Sequence, residues 1–270
     1  MSLLPTSAWS SIDWREPWFA PWQAVGEPAL RAMSAGHSVA QALQATRAGR
    51  DHLPRFVASE ALPPETPYET FVHDSGQVPS RDNLHDLFNG LAWCLYPQTK
   101  RRLNHWQAQA IARDGIGARR GPLRDAITLL DENGALLSAP DTLLQALRTR
   151  DWKALFIRHR EDWHDARLWL FGHALVEKMV APRKDITAHV LCAPPGLTTP
   201  PMVDAWLAET LDEPSLARKP FSPLPVLGVP GWAPSQDARF YEDERVFRAA
   251  RKPELLPLSS ISPQPSQGST

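Results

Sequence analysis

Proline limits the regular structure of this chain more than any other residue type. The 270 residues include 27 prolines, and each proline lacks the backbone N–H that a helix interior or a central strand requires. Long regular elements are therefore restricted to a few stretches between prolines. The chain also has 11 tryptophans, which are large and rigid packing units. Together these residues predict Trp- and Pro-rich straps that lie over a core at both ends.

The two ends of the chain are predicted to differ. Near the N-terminus, Trp14, Trp18 and Trp22 recur every four residues, but a proline precedes each of the last two, so an irregular strap with docked indoles is expected. Residues 219–234 are predicted to form a long covering loop. Residues 253–270 are rich in Pro and Ser and contain no aromatic residue, which is typical of a disordered tail. A single domain is expected over residues 1–252.

Two consecutive helices are predicted in the first half of the chain. The first runs from Asp82, a candidate N-cap, to Tyr96, and Pro97 ends it. Its apolar residues have the three- and four-residue spacing of a core-facing stripe: they are Leu84, Leu87, Phe88, Leu91 and Leu95. The second helix is predicted from Gln98 to Arg113, and the two are expected to form an αα-hairpin.

Strands are predicted in the second half. The stretches 126–130 and 135–138 are apolar and flank a turn that contains Asn133-Gly134, a pattern typical of a β-hairpin. Residues 186–192 alternate and predict a third strand, whereas 168–180 is apolar nearly all round and predicts a buried central helix. The predicted fold class is therefore α+β, with the helical hairpin and the central helix packed on a small, mainly antiparallel sheet.

Composition and motifs exclude several classes of function. The net charge is -1, which provides no overall field for a polyanion, so general nucleic-acid binding is not expected. The GxGxxG, P-loop and GxSxG motifs are absent from the sequence, which removes the usual basis for dinucleotide, P-loop NTPase and α/β-hydrolase assignments. Cys94 and Cys192 form no CxxC pair, and neither a secretory signal nor a spanning segment is predicted. A cytoplasmic location is expected.

The candidate site consists of His85, His173, Glu177 and His189. His173 and Glu177 are four residues apart inside the apolar stretch 168–180, where a carboxylate is unfavourable unless it is paired. His85 lies at the margin of its apolar helix stripe, and His189 lies on one face of the third predicted strand. These side chains could bind a divalent metal or act as acid and base, although the HExxH motif is absent. The alternative is a structural polar network.

Candidate binding residues flank these positions. Asn89 follows His85 by one helical turn and shares its face. Arg120 and Arg124 belong to an arginine cluster that could hold a phosphate or a carboxylate. The alternative for the arginines is an ordinary solvated charge run that pairs with nearby acidic residues.

Six stretches of the chain resemble a known family. They are VPSRDNLHDLFNGLAW, YPQTKRRLN, RGPLRDAITLLDENGAL, LFGHALVEKMVAP, ITAHVL and DARFYEDERVFR. In this order, from about Val78 to Arg248, they resemble the bacterial family named domain of unknown function 3025. The resemblance implies no activity. It coincides with the polar residues His85, Asp86, Asn89, Lys100, Asn104, Arg124, Asp125, Asp131, Glu132, His173, Glu177, Lys178 and His189.

Two functions agree with these observations. The first is a binding or interaction protein, in which His173 and Glu177 belong to a structural network and the Pro-rich loop and tail meet a partner. The alternative is a metal-dependent or acid/base hydrolase that acts on a small or phosphorylated substrate, with His85, His173, Glu177 and His189 gathered at its site.

Overall fold

The computed structural model describes residues 9–116 and 121–250. Its α-helices are α1 (Gln23–Ser34), α2 (Val39–Thr46), α3 (Tyr68–Ser75), α4 (Leu84–Leu95), α5 (Pro97–Asp114), α6 (Pro122–Asn133), α7 (Asp141–Thr149), α8 (His173–Lys178), α9 (Pro200–Thr210) and α10 (Glu213–Ala217). Its strands are β1 (Arg55–Ala58), β2 (Gln77–Ser80), β3 (Gly134–Ser138), β4 (Arg167–Leu170), β5 (Thr187–Ala193) and β6 (Ser222–Pro225).

The strands form two small sheets. The larger has the order β4-β3-β5-β6, with β3 antiparallel to β4 and parallel to β5, and with β5 antiparallel to β6. Strands β1 and β2 form a separate parallel pair. Since helices cover the larger sheet and two of its three pairings are antiparallel, the predicted α+β class is confirmed. The proline-containing β6 lies at a sheet edge, where its missing N–H groups cost least.

The tryptophan straps pack on the core and on each other. Trp14, Trp18 and Trp22 are all buried, and the Trp18 indole donates a hydrogen bond to the carbonyl of Met179 at 3.1 Å. Trp232, from the predicted covering loop, packs against Trp18 with ring centroids 5.9 Å apart. Contact between the indoles thus joins the two straps. The predicted tail, 253–270, lies outside the described residues.

The predicted hairpin is wrong in its first strand. Residues 122–133 form α6, with Pro122 at the start and with Ala126, Ile127 and Leu130 buried along one face. Proline is favoured in the first helical turn, and the apolar spacing is helical. Gly134 has φ -76° and ψ 149°, an extended conformation. It therefore begins β3 instead of forming a turn.

The predicted central helix is also wrong over its first half. Residues 167–170 form β4, which pairs with β3, and the helix begins only at His173. The backbone N–H groups of Phe171 and Gly172 both donate to the carbonyl of Gly134, at 3.0 and 2.8 Å. These bonds extend the sheet contact up to the first residue of α8. His173 and Glu177 nevertheless lie on the same short helix.

The paired helices α4 and α5 are confirmed, with one change at the first cap. Asn83 caps α4 by accepting a hydrogen bond from the backbone N–H of Asp86 at 2.7 Å. The predicted cap, Asp82, instead accepts from the N–H of Val39 at the start of α2. Within residues 9–116 and 121–250, none of the helices combines the length and the apolar character that crossing a bilayer requires.

Candidate functional site

A close backbone contact brings α6 and α8 together. A Cβ atom on Gly172 would lie 2.5 Å from the backbone of Glu132 and of Asn133, a distance that a side chain cannot occupy. Glycine therefore allows the first turn of α8 to touch the end of α6. Asp131 and Glu132 at that end consequently lie beside His173.

Two histidines from different helices meet at the centre of this contact. Nε2 of His173 is 3.1 Å from Nε2 of His85, which α4 provides. The rings are nearly perpendicular, with centroids 4.5 Å apart. Oε2 of Glu132 is 3.5 Å from Nε2 of His173. His85, Glu132 and His173 each offer one ligand atom within 4.8 Å of the other two, so the three can bind one metal ion.

The Nδ1 atoms of the two histidines differ in their hydrogen bonding. Nδ1 of His85 lies 3.0 Å from Oε2 of Glu177, whereas Nδ1 of His173 is buried without a hydrogen-bond partner among the described residues, 3.8 Å from Oδ2 of Asp131. An Nδ1–H that donates to Glu177 gives His85 the tautomer in which Nε2 carries a lone pair. Nδ1 of His173 has no such hydrogen bond in the described part of the chain, so two arrangements satisfy the 3.1 Å contact: Nε2–H of His173 donates to Nε2 of His85, or a cation lies between two facing lone pairs.

The surroundings keep His173 neutral. Burial lowers the pKa of His173 to about 4, and only 4% of the residue is exposed. Burial also acts to raise the pKa of Asp131, but the neighbouring Lys100 ammonium outweighs it and holds that pKa below its ordinary value. Burial and the neighbouring Asp131 carboxylate raise the pKa of Glu132. A second cation near Glu132 would relieve this unfavourable pair of carboxylates.

A buried lysine links the histidine pair to a row of polar side chains. The Lys100 ammonium contacts the carboxylate of Asp131 and donates to Oδ1 of Asn89 at 2.9 Å. The Asn89 amide donates to the hydroxyl of Tyr68 at 2.9 Å. Burial raises the pKa of Tyr68, so this hydroxyl stays protonated. Lys100, Asn89 and Tyr68 line a cavity of about 360 Å³ together with His85, His173 and Glu132.

The structure brings together some of the predicted residues. His85, His173 and Glu177 are in mutual contact through His85, and Asn89 lines the adjoining cavity. His189 lies on β5, where its ring packs against Phe221 with centroids 5.9 Å apart. It belongs neither to the His85 cluster nor to the cavity lining among the described residues.

The two predicted arginines are not part of this cavity. Arg124 is buried and donates a long hydrogen bond of 3.4 Å to the carbonyl of Gly115. It is not among the residues that line the cavity. Arg120 lies outside the described residues.

Sequence reasoning missed Asp131, Glu132 and Lys100 as parts of this site. The two acidic residues were attributed to a hairpin turn, but they stand in the last turn of α6. Carboxylates are unfavourable there because the helix dipole is negative at its C-terminal end. Two adjacent acids in that place therefore indicate a compensating cation, and Lys100 is one such cation. A helical assignment of 122–133 would have revealed this signal.

Residues 54–251 match a family model described as "Protein of unknown function (DUF3025)". The chain belongs to this family. Neither the curated proteins nor the solved structures gave a significant match to the chain. The DUF3025 region begins just before β1 and includes every residue of the histidine cluster and its cavity. The first strap, α1 and α2 precede the region and pack against it through buried residues such as Trp22 and Leu43.

Proposed function

We propose that this DUF3025 protein binds a divalent metal ion through Nε2 of His85, Nε2 of His173 and the carboxylate of Glu132. The observation that carries the proposal is the pair of facing Nε2 atoms beside the Glu132 carboxylate, with Nδ1 of His85 directed at Glu177. Metal-bound histidines typically direct their second ring nitrogen at a carboxylate or a carbonyl. Glu177 would have this orienting role for His85.

Two of the three ligand–ligand distances match a small tetrahedral ion, and the third is within 4.8 Å. With metal–ligand bonds of about 2.0 to 2.1 Å, neighbouring ligand atoms in a tetrahedral zinc site are about 3.3 to 3.4 Å apart. The distance between the two Nε2 atoms is 3.1 Å, and the distance from Nε2 of His173 to Oε2 of Glu132 is 3.5 Å. Two imidazoles and one carboxylate are a ligand set that suits zinc.

A bound ion would have a coordination position left for water or a small ligand. Three protein ligands leave a tetrahedral ion with one such position. All three proposed ligands line the 360 Å³ cavity, which provides the Tyr68 hydroxyl and the Lys100 ammonium as further polar groups. The proposal is one of metal and ligand binding, since the comparisons give no support to the hydrolase alternative.

A proton is the competing explanation for the histidine pair. If the proton of His173 were on Nε2, it could donate to Nε2 of His85, whose Nδ1–H could donate to Glu177. The cluster would then be a structural network without a metal. A zinc titration distinguishes the metal site from the proton-linked network. Zinc requires both Nε2 lone pairs, whereas a proton-linked pair needs no metal to be stable.

Zinc titration of chelator-treated protein tests the proposal. We expect isothermal titration calorimetry at neutral pH to show about one zinc ion per chain, because the three ligands form one site. Elemental analysis after dialysis should give the same ratio. A chain that retains no zinc after dialysis, while its circular dichroism spectrum indicates an intact fold, would favour the proton-linked network.

Changing Glu177 to glutamine should weaken zinc binding without removing the site. The glutamine oxygen can still accept from Nδ1 of His85, but it carries no charge to increase the basicity of the ring. We expect a loss of about 10- to 100-fold in zinc affinity, measured by competition with a chelating dye. The control is Glu161→Gln, because Glu161 pairs with His164 at 3.4 Å on the exposed surface. Equal effects of the two changes would contradict the orienting role of Glu177.

The metal-free protein should lose stability in mildly acidic solution. Burial lowers the pKa of His173 to about 4 from a value of 6.5, so the unfolded chain takes up this proton first as the pH falls. The free energy of unfolding should therefore decrease between about pH 6.5 and pH 4, by roughly 1 to 3 kcal/mol from this residue. Urea unfolding in the presence of a chelator measures the decrease.

The matching variant for this measurement is His173→Gln, which cannot titrate in that range. Asp131 also has a lowered pKa and contributes to acid unfolding in both proteins. The difference between the two pH profiles therefore isolates His173. Parallel profiles would show that this imidazole does not titrate as its burial requires.

We further propose that the protein works in a reducing compartment such as the cytoplasm. Cys94 and Cys192 are both free thiols, which is the usual state of cysteine in that compartment. Fractionation of cells that express the tagged chain tests this proposal.

A further inference from the structure

A second cavity, of about 620 Å³, has the opposite electrostatic character to the first. The two cavities share Trp93 and Asn104 in their linings. Five residues that line the second cavity have basic or imidazole side chains: His52, His73, Arg101, Arg102 and His105. No aspartate or glutamate is present among its lining residues. Because the net charge of the whole chain is -1, this concentration of positive charge is local.

The two arginines are held in place without being neutralised. The Arg101 guanidinium donates to the backbone carbonyl of His52, and the Arg102 guanidinium packs over the Trp106 ring, 4.8 Å from its centroid. In the described part of the chain, neither arginine forms an ion pair with a carboxylate within 4.0 Å. Asp212 is close enough for Arg102 to contribute slightly to its lowered pKa. Both guanidinium groups thus retain donors and charge for a ligand.

A histidine pair forms another part of the same wall. Nε2 of His73 lies 3.0 Å from Nδ1 of His105, and Nδ1 of His73 lies 2.9 Å from Oδ1 of Asp74. This chain of contacts fixes both rings between α3 and α5. The contact with His73 occupies Nδ1 of His105, so Nε2 is the nitrogen of His105 that can contact a ligand. The cavity therefore offers imidazole and guanidinium groups from three segments.

We propose that this second cavity binds the phosphate group of a small phosphorylated molecule. Guanidinium groups bind phosphate oxygens through paired N–H donors, and a cavity of this volume is in the usual range for a small-molecule site. The proposal is independent of the metal site, because none of the three proposed metal ligands lines this cavity. Phosphate would occupy the site through Arg101 and Arg102, with His105 beside them.

Titration with inorganic phosphate in a chloride buffer of constant ionic strength tests the proposal. We expect saturable binding by calorimetry with the chelator-treated protein, in which the metal site cannot contribute. The double variant Arg101→Gln/Arg102→Gln should weaken phosphate binding by about 10-fold or more, because it removes both guanidinium groups. Zinc uptake should be the same in the variant and the wild type, and thermal unfolding reports whether the variant is folded.

The control is the double variant Arg15→Gln/Arg183→Gln. It removes the same net charge, but both arginines pair with exposed aspartates and neither lines the cavity. The control should bind phosphate like the wild type. Equal weakening in the two double variants would mean general charge attraction and would overturn the proposal. If the heat of phosphate binding to the wild-type chain does not saturate, the proposed site is also overturned.

Discussion

Replacing His173 with alanine is expected to abolish stoichiometric zinc uptake in a chain that still folds. The change removes one of the two facing Nε2 atoms and leaves only His85 and Glu132, which are each about one-third exposed. Two ligands are too few for a tight zinc site. Zinc affinity should fall by at least about 100-fold, which is more than the loss of a residue that only orients a ligand, such as Glu177, causes. Competition with a chelating dye measures the loss.

His189→Ala is the matched control for this prediction. His189 was a candidate from the sequence, but its ring packs against Phe221 on β5 and lies outside the cluster. Its replacement should leave zinc affinity unchanged. If His173→Ala proves unstable, His85→Ala provides a second test, because His85 is only partly buried. Wild-type zinc affinity in either folded variant would contradict the proposed ligand set.

Replacing Gly172 with alanine should have the largest effect of any single added methyl group at the site. The new Cβ would meet backbone atoms of Glu132 and Asn133 at 2.5 Å, and backbone cannot move aside as a side-chain tip can. We expect the free energy of unfolding to fall by about 1 to 3 kcal/mol, as for an overpacked core. Zinc affinity should fall as well, because α6 and α8 must separate and Glu132 moves away from His173.

Gly121→Ala is the control for the glycine prediction. Gly121 precedes α6 with φ -64°, and a Cβ there would meet nothing within 4 Å. Because Gly121 is the N-cap of α6, alanine there should lower the free energy of unfolding by no more than about 1 kcal/mol. Zinc binding should be unchanged. Urea unfolding and the dye competition measure both. A Gly172→Ala protein with unaltered stability and zinc affinity would show that the α6–α8 contact does not position the site.

The sequence predicted best those elements whose local signals agree with their packing. In α4, the apolar stripe and the following proline predict the same helix, and Leu87, Phe88 and Leu91 are fully buried in it. His85 was correctly placed at the margin of this stripe. Strand β5 was predicted from its alternation because its two faces differ in burial.

The sequence failed where long-range contacts decide between two local structures. Asn133-Gly134 is a strong turn signal, but the sheet contact with β4 and β5 holds Gly134 in an extended conformation. The stretch 168–180 is apolar throughout and does not reveal where β4 ends and α8 begins. Pairing of β4 with β3 decides that boundary, and no residue within the stretch specifies the partner.

The composition of the site was only partly predictable for the same reason. His85 and His173 are 88 residues apart in sequence, so their contact depends on how α4 packs against α8. Glu177 was selected for its spacing from His173, but its carboxylate contacts His85. Glu132 was not selected because the incorrect hairpin prediction placed it in a turn. The residue types were therefore recognisable from the sequence, whereas their partners required the packing of three helices.

Anomalous diffraction from crystals soaked in zinc chloride would show whether a metal ion lies between His85, His173 and Glu132. The two histidines and Glu132 should surround one peak that is strong above the zinc absorption edge and weak below it. The peak should lie about 2.0 to 2.2 Å from both Nε2 atoms and from a carboxylate oxygen of Glu132. An electron-density map without such a peak, with the two Nε2 atoms still at hydrogen-bond distance, would contradict the metal site and leave a proton between the histidines.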